Sequence, residues 1–240
     1  LNATYEQITW GGLTPVVVTG VTPTITEIDK EYAVIHMSYV VESMNDKKSH
    51  YYQVDEYYNV TYNRSSETVK LLAFDRYQES FFDSGYISKD RNSISMGVTN
   101  EPAEYVTSED YGILAFVRLG QLWMYKYNDS SLTNIFSYPQ DSFSDARTLN
   151  TNLDINIADM DADGNIYFVV YGYMNRGEHE GKNGMSLYYY SAEDMTTQEL
   201  FFVECDESYD IMKKETGRFT YYNAQTNKFY YLLDETLYEV

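Results

Sequence analysis

The sequence predicts an all-β protein of antiparallel meanders arranged as a β-propeller, its ring complete or incomplete. Three observations predict it. Tyrosine occurs 27 times in 240 residues, and aromatic side chains make up 17% of the chain. Such rings fit a pleated, half-buried surface, where the ring packs and the hydroxyl stays wet. Short apolar runs are joined by tight polar turns, as in Ile113–Tyr127 and Phe219–Leu233. From Tyr111 onward these strand–turn–strand units start roughly 45–55 residues apart, near the blade period of about 40–50 residues in propellers. Long windows lack apolar spacing at three and four residues, so helices are not expected.

The elements follow in order. Leu1–Asp29 is poor in charge and rich in Thr, Val, Gly and Pro, and Pro15–Thr19 within it reads as a strand with no hairpin partner of its own. Tyr32–Val41 is a run of strand formers, followed by a polar break over Glu42–Ser49. Tyr51–Tyr62, an Asn-Arg-Ser-Ser turn and the return strand Thr68–Phe74 complete a meander. Asp83–Asp110, with its Gly, Ser, Asn and Asp, reads as a connection that holds one short strand, Ile94–Val98. Residues 1–110 are therefore an N-terminal β region, either part of the same propeller or a domain of its own. Residues 111–240 are propeller-like blades.

The first blade turns at Leu119-Gly120 and returns over Thr133–Tyr138. The second starts at Leu153–Ile157, turns at Asp161–Asn165 and continues as Ile166–Tyr171. After a polar insertion it resumes at Met185–Tyr190 and Glu199–Val203, with Ala192–Thr197 a loop between them. The third opens on a strand at Tyr209–Met212, turns at Glu215–Arg218 and ends in Leu237–Val240. The run Glu235–Val240 has strand composition but no evident turn or partner. Pro15–Thr19 is therefore expected to pair beside residues 229–240 and join the first and last blades, because propellers avoid open edges by closing.

The segment Asp161–Gly181, Asp-Ala-Asp-Gly-Asn-Ile-Tyr-Phe-Val-Val-Tyr-Gly-Tyr-Met-Asn-Arg-Gly-Glu-His-Glu-Gly, resembles β-propeller-like regions of uncharacterised cell-envelope proteins of anaerobic Gram-positive bacteria. The resemblance covers about half of the chain, from Tyr111 onward. It implies a propeller and an extracellular or envelope-associated location, and it implies no activity.

Composition excludes some functions. The formal net charge is −20, which repels phosphate backbones, and the 17 Lys and Arg form no basic patch, so a nucleic-acid partner is not expected. The one cysteine, Cys205, lies in the apolar run Phe201–Cys205 and reads as a structural thiol. No run reaches the length of a membrane span, and no signal peptide is present. The chain begins with Leu1 rather than Met and stops within a strand-like run. Both ends therefore read as cuts from a longer parent, which would carry any anchor.

Two loops are candidate sites. Asp159, Asp161 and Asp163, followed by Gly164, have the Asp-x-Asp-x-Asp-Gly spacing that brings carboxylates round a hard cation, so calcium is the one cofactor considered. Val170 stands where an EF-hand loop has its bidentate Glu, so any calcium affinity belongs at the weak, extracellular end. An Asp/Gly/Asn-rich hairpin turn explains the same residues without a metal. The second loop carries Arg176, Glu178, His179 and Glu180, in which two carboxylates flank a histidine that could titrate or hold a divalent metal. A solvated turn with a structural Arg176 is the competing reading. Trp10, beside Gly11-Gly12, is a candidate platform for a sugar ring, whereas Trp123 sits in an alternating strand and reads as core. His36 reads as a satisfied core or interface histidine, and His50 as exposed.

No catalytic constellation stands out, and the Gly-x-Ser-x-Gly, P-loop and dinucleotide patterns do not occur. The leading expectation is a non-enzymatic binding or sensing module of a bacterial envelope protein with a protein or glycan partner. The alternatives are a glycan-acting hydrolase built on a propeller and a structural segment of a larger secreted protein.

Overall fold

A computed structural model describes residues 4, 9–10, 14–45, 47–97, 103–137, 152–216, 218–223 and 225–240. Its strands are antiparallel throughout. The chain divides into two compact units, one built on Leu1–Asp83 and one built mainly on Ala103–Asp141 and Asn150–Val240, with Ser84–Ser95 added.

The first unit is one five-stranded sheet of β1 (Val16–Val17), β2 (Thr22–Ile28), β3 (Tyr32–Asn45), β4 (Lys48–Asn63) and β5 (Thr68–Ser80). β3, β4 and β5 are consecutive neighbours, and β1 and β2 share the remaining flank of β3. Strands of 14 and 16 residues, such as β3 and β4, run about 50 Å. The expected polar break over Glu42–Ser49 is instead strand continuing to a tight turn. β3 and β4 stay paired out to Asn45↔Lys48, and Lys47 takes φ 66° in the turn. Polar side chains do not end a strand whose backbone stays paired and whose faces meet water. Among the described residues its core cluster is Tyr39, Val41 and Val54, with Trp10, Met37 and Tyr52 packed against them.

The second unit stacks three sheets in chain order. The first holds β6 (Tyr105–Thr107), β7 (Ile113–Arg118), β8 (Gln121–Lys126) and β9 (Ser131–Ser137). The second holds β10 (Leu153–Met160), β11 (Ile166–Tyr173), β12 (Asn183–Ser191) and β13 (Thr196–Glu204). The third holds β14 (Thr220–Asn223), β15 (Lys228–Leu233) and β16 (Thr236–Glu239). Each is a simple meander, with β7–β8 turning at Leu119 and Gly120, both at positive φ, as a two-residue hairpin requires.

Burial explains the continuous apolar run of β11. Ile166, Phe168 and Val170 point into the core shared with the first sheet. Val169 and Tyr171 point into the core shared with the third. A strand covered on both faces needs no polar side, so the usual alternation disappears. β10 lies beside both β6 and β14, and β13 meets β9 through Thr197 Oγ1 donating to the Ile135 carbonyl at 3.1 Å.

Four expectations are corrected here. Tyr209–Met212 is not a strand but the start of a short helix, α1 (Tyr209–Glu215), in which the Ile211 and Met212 amides donate to the Ser208 carbonyl. Met212 alone is buried, filling the core between the second and third sheets, and one inward side chain per turn suits a helix. The C-terminal run has a partner: β16 pairs with β15 from Leu233↔Thr236 to Tyr230↔Glu239. Its turn is Asp234-Glu235, both at positive φ without a glycine to mark them. The expected pairing of residues 15–19 with residues 229–240 is therefore wrong, since Val16 and Val17 bond to Glu42 and Val41 of β3. The short strand expected at Ile94–Val98 is a single bridge, Ile87↔Ile94, with Val98 outside the described residues.

Candidate functional site

The β10–β11 turn is built round one carboxylate. Asp161 Oδ1 accepts from the backbone amides of Asp163 (3.0 Å) and Asn165 (2.9 Å), and its Oδ2 accepts from Asn165 Nδ2 at 2.8 Å. The Asp161 amide donates to the Asn165 carbonyl, closing the turn. Gly164 sits at φ +88°, where a Cβ would lie 3.0 Å from Ile113 Cδ1 and 3.2 Å from Met124 Sδ. Both the dihedral and the close approach to the core demand glycine. Asn165 then uses its Oδ1 to accept from the Ala192 amide at 2.9 Å, tying this turn to the β12–β13 turn.

Between the two turns lies a polar cleft of about 390 Å³, lined by Lys126, Asp163, Asn165, Tyr189, Ser191, Ala192 and Glu193. Tyr189 is half-buried, and its ring leans on Tyr167 at 4.8 Å between centroids. Asp163 and Glu193 are exposed. The cleft thus offers one aromatic ring and one hydroxyl from β12, one ammonium from β8, and two carboxylates and an amide from turns tied together by the Asp161–Asn165–Ala192 network.

Of the three aspartates considered for calcium, Asp163 lines this cleft, Asp161 spends its oxygens on the turn, and Asp159 sits on β10 opposite Tyr167. Burial raises the Asp159 carboxyl above its ordinary range, and the charge of Asp161 adds to the effect. Among the described residues no group of three or more His, Cys, Asp or Glu is placed to hold a metal ion.

The loop after β11 is pinned by its histidine. His179 Nε2 lies 2.7 Å from Glu199 Oε1, and the imidazole stacks on Phe202 at 3.8 Å and 8°. Tyr188 donates its hydroxyl to the other oxygen, Glu199 Oε2, at 2.9 Å. Phe202 reaches this position because Gly184 lies beneath it, where a Cβ would come within 2.5 Å of the ring. The carboxylate that meets His179 is thus Glu199, twenty residues on, while Glu178 and Glu180 are exposed on the loop. Arg176 is half-buried at its base. Glu199, Tyr188 and Phe202 were not legible from the sequence, because the β12–β13 register that pairs Tyr188 with Glu199 is a tertiary fact.

Trp10 belongs to the first unit. Arg76 lies over its ring, 4.4 Å from the centroid, and donates Nε to Glu56 Oε1 at 2.7 Å. Tyr58 donates to Glu56 Oε2 at 2.8 Å. Its phenol is pushed up to about 12 by burial first and by that bond second. The indole is half-buried and covers an ion pair, so that face is taken by a guanidinium rather than offered to a sugar. On the opposite face of the sheet His36 Nε2 meets Asp55 Oδ1 at 2.7 Å and stacks on Tyr57. Cys205 lies 3.5 Å from Met212 Sδ, and burial raises its thiol, which suits packing rather than nucleophilic attack.

No family model matches the chain, and no curated protein matches it.

Proposed function

We propose that the chain is an extracellular binding or sensing module of a bacterial envelope protein, and that its second unit is a run of propeller blades presenting a glycan site at one set of turns. Three meanders stacked in chain order, with first strands side by side, support the propeller reading. The observation that carries the binding reading is the cleft of Lys126, Asp163, Asn165, Tyr189, Ser191 and Glu193. A ring with a polar rim suits a hydroxyl-rich ligand, because the ring takes an apolar sugar face while the amide, hydroxyl and carboxylates take its hydroxyls. Turns tied together lower the ordering cost of binding.

Calorimetric titration with a panel of soluble cell-wall glycans tests this. Tyr189→Ala and Asp163→Ala should each weaken binding about tenfold or more, the scale of one stacking or charged contact. Their melting temperatures should stay within a degree or two of the parent chain. No binding across the panel, or binding untouched by both changes, would overturn the reading. One observation favours a hydrolase as the second reading: Asp163 and Glu193 share the cleft. Release of reducing ends from a bound glycan, lost in Glu193→Gln, would select it.

A further inference from the structure

The third sheet has one face in the core and one in water. Tyr222, Phe229 and Tyr231 face inward and are buried. Pairing sets the other face: Tyr221↔Tyr230 and Leu232↔Leu237, with Phe219 opposite Leu232. This outer face is apolar and open, with Phe219 57%, Tyr221 56% and Leu237 67% exposed. Tyr221 and Tyr230 lie 6.5 Å apart with planes 23° from parallel, so the surface is a flat aromatic and aliphatic strip.

The first sheet solves the same problem differently. Its face away from the second sheet carries Phe116 and Tyr125, buried at 0% and 4%, and the Tyr125 hydroxyl donates to the Arg91 carbonyl. Among the described residues, one end of the stack is thus covered by its own chain, and the other is exposed.

We infer that the outer face of β14–β16 is a self-association surface, on which a second copy of this chain packs face to face about a twofold axis. Charge is the deciding argument. Each chain carries −20, so two copies repel overall, and contact is least opposed where the meeting patch itself carries little net charge. Among the described residues the paired strands of this face carry one cation and one anion, Lys228 and Glu239, which are bonded to each other at its margin, while the exposed Arg218 and the Asp234-Glu235 turn stand at its end. Packing strip on strip buries like against like, as an isologous contact requires.

Size sets the strength. The exposed apolar side chains offer on the order of 400 Å² per copy, about half of the roughly 800 Å² that each partner buries in a standard interface. The dimer should therefore be weak, in the micromolar range, and salt should tighten it by screening the −20 charges.

Sedimentation of the full chain across concentration, at low and high salt, gives the test. A monomer–dimer equilibrium favoured by salt is expected, and Leu237→Lys or Tyr221→Lys should shift it at least tenfold toward monomer. On the unchanged chain, hydroxyl-radical footprinting should find Phe219, Tyr221 and Leu237 protected as concentration rises. That measurement stands even where a variant folds poorly. A chain that stays monomeric at millimolar concentration in high salt would overturn the inference. So would a dimer in which these three residues remain as reactive as in the monomer.

Discussion

The two units use the same strand chemistry under different burial, and they diverge for that reason. In the first, one sheet with strands of up to 16 residues carries, among the described residues, one small core cluster on Tyr39, Val41 and Val54, and Ile28, Val69 and Ile25 stay 59–72% exposed. In the second, short strands stack in three sheets, and β11 has Ile166, Phe168, Val169 and Val170 all at 0% exposure. Backbone pairing holds the first unit's long strands in place, whereas side-chain packing holds the second. A sheet ladder contributes modestly per bond, while filled cores contribute by area, so the two units should respond unequally to the same kind of change.

The hardest blow to this comparison would come from matched truncations. Phe168→Ala should cost about 3–5 kcal/mol in the second unit, whereas Val69→Ala in the first should stay within about 0.5 kcal/mol. Denaturant melts read unit by unit through hydrogen exchange would decide it. Equal costs would mean that the first unit's exposed strand ends are packed in solution.

The first unit has one place where a single change should be severe. Arg76→Ala leaves Glu56, 4% exposed, buried without its cation, and should cost about 3 kcal/mol. Exchange protection across β3–β5 should fall while that of β10–β13 holds. A loss spread evenly over the chain would show that the units do not unfold separately.

A pH experiment sharpens the second unit. Glu104, just before β6, accepts from the Ile157 amide of β10 at 2.5 Å. Burial first, and Asp154 second, lift its carboxyl from 4.5 to about 7. The folded value lies above the unfolded one, so its contribution to stability is full below 4.5 and is lost as pH rises through about 7. Glu104→Gln should leave the melt unchanged at low pH and gain about 2 kcal/mol above neutrality, its carbonyl still accepting from Ile157. A gain at low pH instead would reverse the sign and end this account.

The smallest effect belongs to the β10–β11 turn. Asp161→Ala removes three hydrogen bonds from an exposed turn and should cost about 1 kcal/mol. Excess calcium or a chelator should move the melt of the parent chain by no more than a degree, because those oxygens are already engaged by amides. A calcium shift abolished in the variant would put a metal in the turn.

Much of the strand order was legible because its signals are local. The pair Leu119-Gly120 and the cluster Asp161–Asn165 mark turns through positive φ and side-chain–backbone bonds that a few residues decide among themselves. The turn at Asp234-Glu235 was missed because two acidic residues took left-handed conformations that glycine or asparagine usually marks. The helix at Tyr209 was missed because four residues of strand-like composition hold no period, and the space between two sheets decided their conformation. Asp163, a metal candidate by its spacing, lines the cleft beside Lys126, Tyr189 and Glu193, which no spacing connects to it.

By itself the sequence determined the all-β class, most strand positions and the acidity, since period-two patterning, turn residues and charge are properties of neighbours along the chain. Tertiary structure alone decided the rest. Which carboxylate meets His179, what covers the ring of Trp10, where the last strand pairs and which turns frame a cleft all depend on residues that lie apart along the chain and meet only once the strands have paired and stacked. Register and stacking, rather than any local preference, set those distances.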